Sequence, residues 1–213
     1  MKKQVRIDIV SDVVCPWCIV GFKQLEHALA ELDSELEAEI HWHPFQINPD
    51  IPAGGKNLRE HLAAKYGTEK ADSVHARDRL THIGQELGFQ FDYFDEMKTF
   101  NTFKAHQLLH YARLQGKENE LKMRLFSAFF GERKTIDDNE VLIAEAAAVG
   151  LDAETARALL QDQRYAAEVR TEQQFWQQRG VRGVPTVVFN EKYGVSGAQG
   201  IQAFREMLLQ YAH

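Results

Sequence analysis

Val5-Arg6-Ile7-Asp8-Ile9-Val10-Ser11-Asp12-Val13-Val14-Cys15-Pro16-Trp17-Cys18-Ile19-Val20-Gly21-Phe22 is the stretch from which the fold can be read. Val5 to Val10 alternate apolar and polar, the period of a half-buried strand. Ser11-Asp12 carries turn chemistry. Phe22, Leu25, Leu29 and Leu32 then recur at helical spacing. The two cysteines therefore stand where a strand feeds a helix. Pro16 suits the first helical position, because its missing N–H would be unpaired there anyway.

These are the only 2 cysteines of the chain, so a multi-disulfide scaffold is excluded. A bridge between Cys15 and Cys18 closes too small a loop to restrict the unfolded chain much. A redox role is the better reason for the pair. The free N–H groups of the first helical turn, with the helix dipole, favour a thiolate on Cys15. That makes Cys15 the expected nucleophile and Cys18 the resolving thiol. Zinc would need four ligands. His41 and His43 share one face of a strand and would be the complement, but Pro16 and Trp17 between the thiols fit redox chemistry better.

Outward from this stretch, Glu39-Ile40-His41-Trp42-His43 alternates again and predicts a second strand. Strand, helix and strand so close together make a right-handed parallel βαβ unit. Pro44 to Gly55 is rich in proline and glycine and is the expected domain boundary. From Leu58 the pattern is helical for a long run. The spacing predicts helices over 58–66, 69–87, 102–115, 119–130, 139–149, 153–160 and 165–178. Gly67, Gly88 and Gly116 stop the first three, and Asp152 caps the sixth. In the second, Val74, Leu80, Ile83 and Leu87 are expected on one side. Thr186-Val187-Val188-Phe189 is a short β-branched strand, and Asn190 to Gly194 a turn. A partner strand follows at Val195-Ser196-Gly197, and Ile201, Phe204, Leu208 and Leu209 mark a closing helix. The order βαβ, helices, ββα describes one α/β domain interrupted by a helical insertion.

The composition sets limits on function. The chain has 213 residues, 44% hydrophobic and 26% charged, the profile of a globular protein with a sizeable core. Its 25 basic and 31 acidic residues leave a net charge of −6, which argues against nucleic acid as a partner. No segment approaches the roughly 18 apolar residues of a membrane span. Arg6 and Asp8 interrupt the apolar run that a secretory leader needs, so a cytoplasmic location is expected.

Gly183-Val184-Pro185-Thr186 precedes the third strand and alone would read as a turn. Together with Cys15-Pro16-Trp17-Cys18, the sequence resembles the thioredoxin superfamily, in its DsbA-like branch with a helical insertion. It is most similar to the cytoplasmic FrnE-like oxidoreductases. Asp12-Val13-Val14-Cys15-Pro16-Trp17-Cys18, Trp42-His43-Pro44-Phe45-Gln46-Ile47-Asn48-Pro49 and Gly183-Val184-Pro185-Thr186 carry the resemblance. It implies a thioredoxin-like domain in two parts, 1–57 and 165–213, around a helical insertion at 58–164. It implies a cis Val184–Pro185 peptide, with Val184 binding the backbone of an extended substrate segment and Pro185 shaping the groove. Pro16-Trp17 replaces the Pro-His of strongly oxidising periplasmic members, so a less acidic Cys15 is expected. Phe22 stands where relatives often carry a basic residue.

The implied activity is thiol–disulfide exchange, as reductase or isomerase, on protein or small-molecule disulfides, with no bound cofactor or metal. Glutathione or a thiol reductase is the expected recycling partner, and a homodimer is allowed. The same fold serves glutathione-dependent enzymes resembling 2-hydroxychromene-2-carboxylate isomerase, which usually carry Ser in place of Cys15. A chaperone-like peptide-binding role around Trp17 and Phe45 is the remaining alternative. Asn101 is expected as a helix N-cap, His106 as a satisfied half-buried histidine, and Asp12 as a turn residue rather than a proton acceptor for Cys18. Phe100, Phe103, Phe126, Phe129 and Phe130 are expected in the core.

Overall fold

The computed structural model describes residues 2–213. The chain divides into two compact units, residues 1–47 with 172–213, and residues 48–171. The division at Ile47/Asn48 lies upstream of the boundary expected at 57/58, and the return at Thr171/Glu172 lies beyond 164/165. Asn48 belongs with the helical segment because its side chain bonds His61 at 2.9 Å and Thr99 at 3.2 Å. A composition shift could mark the Pro/Gly-rich connection but not the residue at which its contacts change sides.

The first unit is built on a four-stranded sheet. β1 (Lys3–Ser11) pairs in parallel with β2 (Leu36–Pro44), and α1 (Pro16–Glu31) is the crossover. β5 (Thr186–Phe189) runs antiparallel to β1, and β6 (Tyr193–Ser196) antiparallel to β5. The strand order is β2-β1-β5-β6. β6 begins earlier than expected, because left-handed Asn190 and Glu191 close the turn before it. Asn190 also ties β1 to the end of α9 (Ile201–Tyr211), accepting from the Arg6 N–H and donating to the Tyr211 carbonyl.

The alternation in β1 sorts its side chains into two layers. Ile7 and Ile9 face one side, and Ile9 is in register with Trp42. Phe22 of α1 meets the Trp42 ring with centroids 4.8 Å apart. Leu25 and Ala28 from α1 and Leu32 at its C-cap, with Phe204 and Leu208 from α9, complete this buried layer. The other side presents Val10, which packs with Trp176, Val181 and Val188, and with the partly buried Phe45 and Val184. Trp176 comes from α8 (Ala166–Gln178).

The second unit is helical. It holds α2 (Leu58–Tyr66), α3 (Lys70–Glu86), α4 (Phe103–Leu114), α5 (Glu118–Phe126), α6 (Asn139–Ala148), α7 (Ala153–Asp162) and the start of α8. Two features were not expected. A two-residue ladder joins β3 (Lys56–Asn57) to β4 (Lys98–Thr99). A π-turn over Ser127–Gly131 ends α5 short of the helix expected to reach 130. In α3, Val74 is exposed, and Ser73, Leu80 and Gly84 form the buried face instead. Gly84 is required there, because a Cβ would stand 2.5 Å from the Phe91 ring and 2.6 Å from the Phe89 carbonyl oxygen. Phe100, Phe126, Phe129 and Phe130 are buried, whereas Phe103 is half-buried with the Arg170 guanidinium 4.6 Å above its ring. Among the described residues no helix is long and apolar enough to cross a membrane.

Candidate active site

The site begins at the end of β1. The chain turns at Asp12, whose carbonyl accepts from the Cys15 N–H at 3.2 Å. Its Oδ2 accepts from the Ile47 N–H at 2.8 Å. Asp12 is thus a fully buried turn residue that holds the start of α1 to the segment following β2. Cys15 is the N-cap of α1, in extended backbone geometry, and Pro16 opens the helix. The Cys15 carbonyl accepts from the Cys18 N–H at 3.1 Å, so the thiols lie one turn apart. Neither is in a disulfide and both are buried, while Trp17 between them is 37% exposed.

The loop before β5 meets this helix start. Val184–Pro185 is a cis peptide. The Cys15 thiol donates to the Val184 carbonyl, with Sγ 3.6 Å from the oxygen. Residues 169 apart in sequence are thereby brought together. The loop is braced on its far side. The Gly197 N–H donates to the Pro185 carbonyl at 2.7 Å, and the Thr186 hydroxyl donates to the Gly183 carbonyl at 2.8 Å.

The electrostatics of Cys15 differ in sign from the helix-terminus effect expected from sequence. The hydrogen bond it shares with Cys18 pushes the Cys15 thiol up, burial pushes it further, and the Asp12 charge adds to both. The Cys18 backbone N–H acts the other way, as the helix start would, and is outweighed. The hydrogen bond shared with Cys18, together with burial, holds the Cys15 proton more firmly than the helix start releases it.

A second cluster lies in the same unit and was not anticipated. Asp8 is fully buried and accepts from Nε and Nη2 of the Arg6 guanidinium, at 2.9 and 2.8 Å. His43 Nε2 is 2.8 Å from Asp8 Oδ1, and its Nδ1 is 2.6 Å from Glu172 Oε1. The imidazole lies against Trp176, with centroids 4.6 Å apart. Burial pushes the Asp8 carboxyl up, but the hydrogen bonds from His43 and Arg6 prevail and hold it at about 2. Burial likewise pulls His43 down, and its bonds to Asp8 and Glu172 overcome this and raise it. His41, the other member of the zinc alternative, has its Nε2 2.9 Å from Glu39 Oε1. Among the described residues no group of three or more His, Cys, Asp or Glu is arranged to hold a metal ion.

Asn101 and His106 lie in the helical unit. Thr102 rather than Asn101 occupies the N-cap position of α4. Asn101 still serves the helix start, accepting from the Phe103 N–H at 2.9 Å and donating to the Pro49 carbonyl at 2.6 Å. His106 is fully buried, beyond the half-burial expected. A cavity of about 260 Å³ in this unit is lined by Phe94, Met97, Phe100, Phe129, Arg133 and Lys134, among others, and holds none of the catalytic or substrate-binding residues expected from sequence.

Comparison with known proteins identifies the fold and the family. The family model described as "DSBA-like thioredoxin domain" matches residues 6–209. The crystal structure of the probable DsbA oxidoreductase SCO1869 from Streptomyces coelicolor superposes with a TM-score of 0.92 at 33% identity, covering 97% of this chain and 89% of that one. The uncharacterized protein YwbO of Bacillus subtilis (strain 168) is 26% identical over 205 residues, 96% of each chain. The cytosolic disulfide reductase DsbM from Pseudomonas aeruginosa shares the fold, with a TM-score of 0.65 at 18% identity over 96% of this chain and 97% of that one.

Proposed function

The chain belongs to the DSBA-like thioredoxin domain family, and from that premise we propose that it is a thiol–disulfide oxidoreductase cycling through Cys15 and Cys18. The observation that carries the proposal is the seating of the Cys15 thiol, at the N-cap of α1, against the Val184 carbonyl. An extended substrate segment pairing with the backbone of Val184 would lie beside Cys15, with Pro185 shaping the groove. Its disulfide would then be within reach of the one thiol at the helix start.

In the proposed cycle, Cys15 loses its proton and its thiolate attacks one sulfur of the substrate disulfide. The substrate S–S bond breaks, a mixed disulfide forms at Cys15, and the other substrate sulfur leaves as a thiolate that takes up a proton. Cys18, one turn further on, loses its proton and attacks the Cys15 sulfur. The second substrate thiol departs and a Cys15–Cys18 disulfide remains. The substrate has gained two electrons and two protons, and the protein has lost them. Because Cys15 starts above the ordinary thiol range, the first proton loss is the demanding step near neutral pH. Bringing a disulfide against it removes the hydrogen bond to Val184 that favours the protonated form.

We further assign the activity to the cytoplasm, by analogy with the cytosolic disulfide reductase DsbM, whose fold this chain shares. In that compartment, glutathione or a thiol reductase would return the pair to its dithiol form, and net reduction or isomerisation is favoured over oxidation. Protein and small-molecule disulfides are both admitted.

The test is thiol trapping of the protein equilibrated in graded glutathione buffers. A reversible Cys15–Cys18 couple is expected, nearer to about −270 mV than to about −120 mV. Cys15→Ser should abolish disulfide reduction, and Cys18→Ala should accumulate mixed disulfides at Cys15. Absence of a reversible disulfide, or full turnover in Cys15→Ser, overturns the proposal.

A further inference from the structure

Gly21 is buried in the interior of α1. Helix interiors disfavour glycine relative to alanine, because glycine gives up more backbone freedom on ordering. Nine other glycines of the chain have a positive φ that explains them, and Gly21 is not among these. What it faces is a close neighbour. A Cβ at Gly21 would stand 3.3 Å from Pro185 Cγ, 3.5 Å from Ala198 Cα and 3.6 Å from Ala198 Cβ. Contact at 3.3 Å is tight enough that the neighbour must give way by a few tenths of an ångström.

The neighbours form the loop system already described. Pro185 follows Val184, whose carbonyl accepts from the Cys15 thiol. Its own carbonyl takes the Gly197 N–H at 2.7 Å, which ties it to the segment carrying Ala198. That segment is anchored to α1 three residues past Gly21, where Gln24 Oε1 accepts from the Gly200 N–H at 2.8 Å. Cys15, Cys18, Gly21 and Gln24 follow one another at intervals of three along α1, the spacing of neighbours on a helix surface. The reactive thiol and the floor under Pro185 therefore belong to one rigid element.

We propose that Gly21 is a positioning residue, which by lacking a side chain lets Pro185 and Ala198 settle against α1 and so sets the separation between Cys15 and the Val184 backbone. Its consequence is specificity. A substrate that reaches Cys15 only by pairing with Val184, a cystine held in an extended peptide, depends on that separation. A small disulfide without a peptide backbone does not. The inference rests on the thiol–disulfide reading for its kinetic form, and on geometry alone for its effect on Cys15.

The experiment compares the full chain with Gly21→Ala and with Gly21→Val. Substrates are a cystine-bridged peptide and hydroxyethyl disulfide. Gly21→Ala should raise KM for the peptide about tenfold with kcat not lowered, and hydroxyethyl disulfide reduction should not fall. Gly21→Val should act in the same direction and more strongly. The Cys15 thiolate, read from its ultraviolet absorbance against pH, should appear at lower pH in Gly21→Ala, because the bond to Val184 that favours the protonated thiol is loosened. An unchanged peptide KM in Gly21→Ala overturns the proposal. So does a loss of activity that is equal for both substrates and tracks a fall in Tm. If the parent reduces neither substrate, the thiol–disulfide reading fails instead, and the thiolate titration alone decides whether Gly21 sets the Cys15–Val184 separation.

Discussion

His43 Nε2 lies 2.8 Å from Asp8 Oδ1, across two neighbouring parallel strands. The contact joins a fully buried carboxylate to an imidazole whose other nitrogen is held by Glu172. With Arg6 on Asp8, a chain of hydrogen-bonded groups runs from β1 through β2 to α8, in which a protonated His43 stands between two carboxylates. Burying charge is costly unless each is paired, and here each is.

The first prediction concerns stability against pH. Asp8 is held at about 2 from an ordinary 3.8. Its contribution is complete above pH 4 and is lost as pH falls through about 2. The shift corresponds to about 2 kcal/mol. His43 is raised above 6.5. Its contribution is complete below that pH and is lost as pH rises through the higher folded value. Stability should therefore be greatest between about pH 4 and 6.5 and decline on both sides. Denaturant midpoints measured from pH 2 to 9 test this, and a profile flat from pH 6 to 9 would contradict the role given to His43.

His43→Ala removes the bridge and leaves Asp8 and Glu172 facing each other. It should cost about 3 kcal/mol, as when one member of a buried ion pair is deleted. It should also abolish the decline above pH 6.5. Chemical unfolding of the variant checks both. A cost below about 0.5 kcal/mol would mean that the cluster behaves as an exposed pair.

The Cys15 thiol should titrate above the ordinary range in the reduced protein, since its hydrogen bond with Cys18, burial and the Asp12 charge all push it up. Cys18→Ala removes the largest of these causes and should bring the Cys15 titration down. Thiolate absorbance or the pH dependence of alkylation reports the change. A Cys15 that titrates no lower in the variant would show that the shared bond is not what holds its proton.

Gly84→Ala should destabilise the helical unit by about 2 kcal/mol even though alanine favours helix. The new Cβ would sit 2.5 Å from Phe91 and 2.6 Å from the Phe89 carbonyl oxygen. Gly21→Ala, with its nearest contact at 3.3 Å, should leave Tm little changed. Parallel thermal unfolding of the two variants distinguishes a glycine that the core requires from one that sets a spacing.

Local pattern carried much of the architecture. Alternation marks β1 and β2, and proline after Cys15 opens α1. The end of α2 at Gly67 and the cap of α7 by Asp152 are legible because each rests on one residue's own backbone chemistry. Val74 was placed inward and is exposed. It lies one position from Ser73 on the true buried face, and only packing against Phe89 and Phe91 reveals why Gly84 sits there. The π-turn after α5 gave no sequence signal, because Ser127 to Phe130 continues a good helical pattern.

What the sequence by itself determined is the pair of thiols at a helix start, the strand and loop around Val184–Pro185, and the helical character of the stretch between them. These follow from interactions within a few residues, which composition and spacing encode directly. Only the tertiary structure decided the contact of Cys15 with Val184, the sign of the Cys15 shift, the Asp8–His43–Glu172 chain and the seat of Pro185 over Gly21. Each depends on burial and on groups distant in sequence, and their energies exist only once water has been excluded and the distances set by packing.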